Sequence, residues 1–254
     1  MHPTFDLDFT EIPQYTALII LGALIGLAAT WLYLRWRYRR AATLPIFLGG
    51  ALIVFIAGWI GARAYHVATN WDYYVARPDE ITQIGLGGMA MRGALILGFI
   101  ALIVYARWRK IVLAKVLDAA ALGLAIGQAI GWAGAFVQGA NYGVVSDSQI
   151  AMDLPDLYGL VAPRFPLQHA EIILFAVLGL GLVALAFYKP KPGILFLVYA
   201  LIASIGNFAL EFQRGDETLW FSGLRIDQWV DILGLGVVLL FWLVARCGGN
   251  VGIN

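Results

Sequence analysis

Charge is scarce in this chain. Only 13% of its 254 residues are Asp, Glu, Lys or Arg, and there are three histidines and one cysteine. Cys247 therefore has no partner within the chain for a disulfide, and no His/Cys cluster has metal-ligand spacing. The chain also lacks a Gly-rich strand-to-helix turn of the kind that cradles nucleotides, and it lacks tandem repeats. Its basic clusters are short and sit beside apolar runs, so they read as topology signals and anionic-lipid contacts, not as a nucleic-acid face. The first thirteen residues are acidic where a cleavable signal peptide would be basic, so the first apolar run is expected to remain as a span.

Apolar sequence is abundant instead. The hydrophobic share is 61% and the mean hydropathy is +0.80, against about 45–50% apolar residues in ordinary soluble domains. A bilayer-spanning helix needs about 20 mainly apolar residues. Seven segments qualify: 14–34, 45–69, 86–106, 112–140, 167–188, 193–212 and 226–246. The third carries Arg92 near its start, and the fourth is long enough to be tilted or broken at its glycines. The prediction is an all-α polytopic membrane protein, one helical domain over 1–254, with outer loops at 70–90 and 141–166.

The charges alternate between loops. Arg35, Arg37, Arg39 and Arg40 follow the first segment, and Arg107, Arg109, Lys110 and Lys115 follow the third. Lys189 and Lys191 follow the fifth, and Arg246 closes the seventh. The opposite loops carry acids, among them Asp6, Asp8, Glu11, Asp79, Glu80, Asp153 and Asp216. Basic residues beside spans mark the cytoplasmic side, so the amino terminus is expected outside and the carboxyl terminus in the cytoplasm.

Polar groups inside spans are costly, and each one raises a functional reading. Arg63, in Gly58-Trp59-Ile60-Gly61-Ala62-Arg63, is placed to grip a lipid phosphate bidentately. Alternatively it snorkels to the headgroups or pairs with Glu171 or Glu211. His66 follows one turn later on a similar face, and Arg92 stands in Gly87-Gly88-Met89-Ala90-Met91-Arg92-Gly93. His169 and Glu171 lie in Pro163-Arg164-Phe165-Pro166-Leu167-Gln168-His169-Ala170-Glu171. Asn207, Glu211 and Arg214 follow one another in Asn207-Phe208-Ala209-Leu210-Glu211-Phe212-Gln213-Arg214.

Segment four carries Gly123, Gly127, Gly131 and Gly134, small residues that let a backbone approach a neighbour closely. Its end, Gly131-Trp132-Ala133-Gly134-Ala135-Phe136-Val137-Gln138-Gly139-Ala140-Asn141-Tyr142-Gly143, resembles the signature of prolipoprotein diacylglyceryl transferases. That signature runs Gly-Arg-x-Gly-Asn-Phe-x-Asn-x-Glu, with a glycine three residues on. Gly131, Gly134, Phe136 and Gly143 match, while the polar positions read Trp132, Ala135, Gln138 and Ala140. Arg63 holds the arginine of the family's Gly-Gly-Arg-x-x-Tyr, and Arg92 replaces the histidine of Gly-Gly-Met-Ser-Phe-His-Gly-Gly-Leu-Ile. Arg164, Pro166, Gln168 and Glu171 are similar to the family's Arg-His-Pro-Ser-Gln-Leu-Tyr-Glu. Phe208, Glu211 and Arg214 are similar to Arg-Phe-x-x-Glu-x-x-Arg, with Asn207 for the first arginine. Tyr15 and Gln228 match a tyrosine near the first span and a glutamine opening the last.

The resemblance implies transfer of diacylglycerol from phosphatidylglycerol to a lipobox cysteine, in a bacterial inner membrane, without a cofactor. Its partners would be phosphatidylglycerol and a prolipoprotein signal peptide. Tyr15, Arg63, Arg92, Gln138, Glu171, Asn207, Glu211 and Arg214 form the expected lipid-binding set. Within it, Arg63, Arg92, Glu211 and Arg214 bound the headgroup, and Arg63 is expected to pair with Glu211. Arginine stays charged and is no base at ordinary pH, so His66 or His169 is the candidate to replace the family histidine. The replaced polar positions point to weak or absent transfer. A non-catalytic relative, serving as a lipid-binding structural or assembly subunit of a larger membrane complex, is the alternative. A secondary transporter fits less well, because no pair of interrupted segments recurs in the two halves.

Overall fold

A computed structural model describes residues 4–7, 10–39, 43–83 and 87–247. Asp8 and Arg40 of the charge pattern lie outside the described residues. Seven helices are long and apolar enough to cross a membrane: α1 (Gln14–Arg37), α2 (Leu44–Thr69), α4 (Met91–Trp108), α5 (Leu113–Gln138), α6 (Leu167–Phe187), α7 (Ile194–Glu211) and α8 (Ile226–Cys247). A short helix α3 (Trp71–Val75) and a 3-10 turn at Pro78–Thr82 follow α2. Among the described residues there are also three antiparallel hairpins: β1–β2 (Thr4–Leu7, Thr10–Pro13), β3–β4 (Met152–Pro155, Val161–Arg164) and β5–β6 (Trp220–Phe221, Leu224–Arg225). The protein is a mostly helical, multi-pass membrane protein. Large apolar side chains such as Leu52, Val104 and Leu180 stand exposed along the spans, as a lipid-facing surface requires.

Local chemistry sets the helix ends. Pro45 sits in the first turn of α2, where its missing N–H costs nothing. The third span begins at Met91, later than the sequence pattern predicts, because Gly87 and Gly88 hold left-handed backbone (φ 82° and 77°) that a helix cannot include. Arg92 therefore lies in the first turn of α4 and not within its apolar body. The fourth span stays unbroken across its glycines.

The chain divides into two compact units, the first made of Met1–Tyr33, Leu117–Glu217 and Asp231–Asn254, the second of Leu34–Val116 and Thr218–Val230. In the first, glycines of α1 and α5 face one another. A Cβ on Gly26 would lie 2.6 Å from the Gly123 carbonyl oxygen, and one on Gly22 would lie 2.8 Å from that of Gly127. Further along α5, the Tyr199 hydroxyl donates to Gln128 Oε1 (2.6 Å). The fully buried Asp118 carboxylate accepts the Gly193 and Phe196 backbone N–H groups (2.8 and 3.0 Å), which caps α7 from a neighbouring helix. In the second unit, Gly61 and Gly93 bring α2 and α4 together so closely that a Cβ on either would strike the other's carbonyl. There the Tyr105 hydroxyl bonds the Ile46 carbonyl (2.7 Å) and the Tyr65 hydroxyl bonds Asp227 Oδ1 (2.6 Å).

Candidate functional site

The segment that leaves α5 is laced between the ends of two other spans. Gly139 closes the helix with φ 71°, and a Cβ there would lie 2.6 Å from the Asp156 carbonyl oxygen. Ala140 N–H returns to the Ala135 carbonyl (3.0 Å), an arrangement that satisfies the helix end. Beyond it, Val144 N–H donates to Gln213 O (2.9 Å) and Gly215 N–H donates to Tyr142 O (2.8 Å), both from the end of α7. On the other side, Phe165 N–H donates to Val144 O (2.9 Å), just before α6. Gly143 occupies the centre, where a Cβ would collide with the Phe165 carbonyl.

Arg214 stands at this junction. Its Nε and Nη2 donate to Asp216 Oδ1 and Oδ2 (2.6 and 2.8 Å), a side-on fork. Nη1 reaches Glu211 Oε1 (2.9 Å), and Nη2 also reaches Asn141 Oδ1 (2.7 Å). Glu211 is buried, and Asn207 is buried one turn earlier on α7. At the signature's carboxylate position, Ala140 offers only its carbonyl, which accepts Gln168 Nε2 (3.0 Å). Because that carbonyl demands a donor, the Gln168 amide is fixed with Oε1 turned away, buried and without a hydrogen-bond partner among the described residues. Glu171 is buried one turn further along α6.

A second ion pair lies beside the first. Arg164 Nη2 bonds Asp156 Oδ2 (3.0 Å), and the guanidinium covers the Tyr142 ring with 4.7 Å to its centroid. Burial, with Asp156 and Asp216 nearby, holds the Tyr142 phenol above its usual value, while Arg164 works in the other direction.

The expected site residues fall into both units. Tyr15 packs on the signature helix, since a Cβ on Gly134 would touch its backbone oxygen and ring at 3.4 and 3.5 Å. Trp132 is half-buried, and so is Gln138, the last residue of α5. His169 sets its ring against signature Phe136 (4.6 Å between centroids), and its Nδ1 is buried without a hydrogen-bond partner among the described residues.

In the second unit, Arg63 is saturated by backbone. Nε donates to Ile81 O (2.9 Å), Nη1 to Gly87 O and Gly88 O (2.6 and 3.1 Å), and Nη2 to Glu80 O and Gln83 O (2.6 and 3.4 Å). Its five N–H donors meet five carbonyls. The ring of Tyr74 stacks on the guanidinium at 5.3 Å. Arg63 and His66 meet at Gly88, where a Cβ would lie 2.6 Å from both Arg63 Nη1 and His66 Nε2. Arg92 is half-buried at the start of α4. The pairing expected from the sequence is therefore replaced: Glu211 takes Arg214 as its cation, and Arg63 takes carbonyls. Sequence reasoning missed Asn141 and Asp216; the signal for Asp216 was its place two residues after Arg214.

Seven apolar helices, and within the first unit a half-buried arginine–carboxylate junction where the signature loop meets α6 and α7, define a multi-pass membrane protein with a polar site at helix ends. The sequence profile described as prolipoprotein diacylglyceryl transferase matches residues 3–244. A phosphatidylglycerol–prolipoprotein diacylglyceryl transferase of Bacillus velezensis is 32% identical, over 96% of this chain and 92% of the relative. Proteins of the same name from Thermosynechococcus vestitus (29%, over 92% and 88%) and Streptococcus mutans (31%, over 90% of each) are similar along nearly their whole length. The chain belongs to the prolipoprotein diacylglyceryl transferase family.

Proposed function

We propose that this chain handles phosphatidylglycerol in a bacterial inner membrane and transfers its diacylglyceryl group to a prolipoprotein cysteine. In that reaction a C–S bond forms from the cysteine sulfur to the glyceryl carbon. The C–O bond to phosphate breaks, glycerol phosphate leaves with the bonding pair, and the thiol proton passes to a base. The observation that carries this reading is the Arg214 junction: a guanidinium held by Glu211, Asp216 and Asn141 against the signature loop. Such a junction fixes the signature loop and its neighbours before substrate arrives, so geometry is set without reorganising during the reaction. His169 supports the base role, with an Nδ1 that has no partner among the described residues and lies on the ring set against Phe136.

A second reading, a lipid-binding relative without turnover, rests on Trp132, Ala135 and Ala140, which stand where the family signature places polar groups, and on Arg92, which stands in place of the family histidine. One lost donor of this kind costs about a hundredfold or more. Both readings keep the lipid, so a transfer assay separates them. The protein is placed in vesicles with labelled phosphatidylglycerol and a lipobox peptide. Label joined to the peptide through a thioether supports transfer. Retention of the lipid with no labelled peptide supports the second reading.

A further inference from the structure

Toward its tip the β3–β4 hairpin is inside out, although Leu154 still packs inward and Asp153 faces outward. Its buried face holds an ion pair, Asp156 with Arg164, at 7% and 5% exposure. Its outer surface and tip carry apolar side chains: Leu157, Tyr158, Leu160 and Val161, with Tyr158 87% and Leu160 66% exposed. A hairpin made for water has the opposite polarity, with apolar groups packed inward and charges outside.

Four backbone N–H groups at the tip are also satisfied within the hairpin. Asp156 Oδ1 accepts both Tyr158 N–H and Leu160 N–H (2.9 Å each). Gly159 N–H donates to Asp156 O (3.0 Å), and Asp156 N–H donates to Leu160 O (3.1 Å). Arg164 holds Asp156 Oδ2 from below, so the capping carboxylate is fixed. Gly159 supplies the left-handed residue of the turn (φ 83°). Satisfied amides of this sort matter where water is scarce, because each unsatisfied backbone group in lipid costs several kcal/mol.

We propose that the tip of this hairpin, Leu157 to Val161, inserts into the interfacial layer of the bilayer that α5 and α6 span. The hairpin runs directly into the start of α6 and meets the end of α5 where a Cβ on Gly139 would lie 2.6 Å from the Asp156 carbonyl oxygen, and four residues of strand reach about 13 Å. The headgroup layer beside the hydrocarbon is only about 5–8 Å deep, so a hairpin rooted there has the reach to lie within it. Tyrosine at the most exposed position suits that depth, with its ring apolar and its hydroxyl wet. The membrane is thus the partner, and the exposed apolar surface is an anchor that fixes the segment between the signature loop and α6.

The chain's single cysteine makes the test direct. In a Cys247→Ser background, Tyr158→Cys or Leu160→Cys is spin-labelled in proteoliposomes, and Asp147→Cys in the same loop serves as the water-exposed reference. Tyr158 packs on little, so its replacement leaves the fold intact, and an unchanged melting temperature checks this. Inserted labels are relaxed more by oxygen than by a water-soluble nickel chelate, with the order reversed at 147. Labels at 158 and 160 relaxed mainly by the nickel chelate would overturn the proposal, and so would labels shielded from both reagents, the sign of a protein partner.

Discussion

Arg214 and Asp216 face each other in a side-on fork, Nε to Oδ1 at 2.6 Å and Nη2 to Oδ2 at 2.8 Å, across a turn at Gly215. A Cβ on Gly215 would lie 2.6 Å from the Gly143 carbonyl oxygen, so the fork is bound to the signature loop by backbone contact. The Asp216→Asn substitution keeps the shape and removes the charge. Hydrogen bonds to charged groups contribute about 1.5–3 kcal/mol, and a loss of that size is expected in thermal unfolding of the detergent-solubilised protein. Arg214→Lys is expected to lose a similar amount, because one ammonium cannot reproduce a planar fork. A melting temperature unchanged in both variants would show the fork to be idle.

Arg63 is expected to act through the segment it holds. Arg63→Ala releases five carbonyls between Glu80 and Gly88, so amide exchange after the 3-10 turn should accelerate and bound phosphatidylglycerol should be lost more easily in native mass spectrometry. Lysine has three donors on one nitrogen and should not restore either property. Unchanged exchange and unchanged lipid retention in Arg63→Ala would remove Arg63 from the account.

Tyr142 gives a pH signature. Its phenol is held above the usual value, chiefly by burial, so the folded state favours the neutral form. That contribution to stability is complete below the unfolded phenol value of about 10 and is lost as pH rises through the higher folded value. In an absorbance titration of tyrosinate, Tyr142→Phe should diminish the late phase. An undiminished late phase would contradict the assignment.

The alternation of basic and acidic loops predicts an outer amino terminus and a cytoplasmic carboxyl terminus. A phosphatase fused after Arg246 should be inactive, and a fluorescent protein fused there should fold and fluoresce. Active phosphatase at that position would reverse the topology.

The spans were legible because length and composition suffice to mark them, and six of the seven helices begin within a residue or so of the apolar runs. The third was misjudged because its start depends on the backbone of Gly87 and Gly88, which periodicity does not report. The small hairpins were missed for a related reason: strands of two to four residues are defined by their pairing, not by their own apolar pattern. At the site, Glu211 and Arg214 were found as charges on one stretch, but the fork to Asp216 arises only after the helix ends. Arg63 shows the deeper limit. Its five partners are backbone carbonyls, and a carbonyl has no identity in a sequence.

The Arg214 junction is expected to support diacylglyceryl transfer although Trp132, Ala135 and Ala140 occupy polar positions of the signature and Arg92 replaces the family histidine. The most direct measurement is expression of this chain in a bacterium depleted of its own transferase, with prolipoprotein modification read by gel shift. The account predicts a shifted band that forms more slowly than with a relative carrying the full signature, and that disappears with Arg214→Ala. No shifted band, with the chain present in the membrane and phosphatidylglycerol bound to it, would contradict the claim.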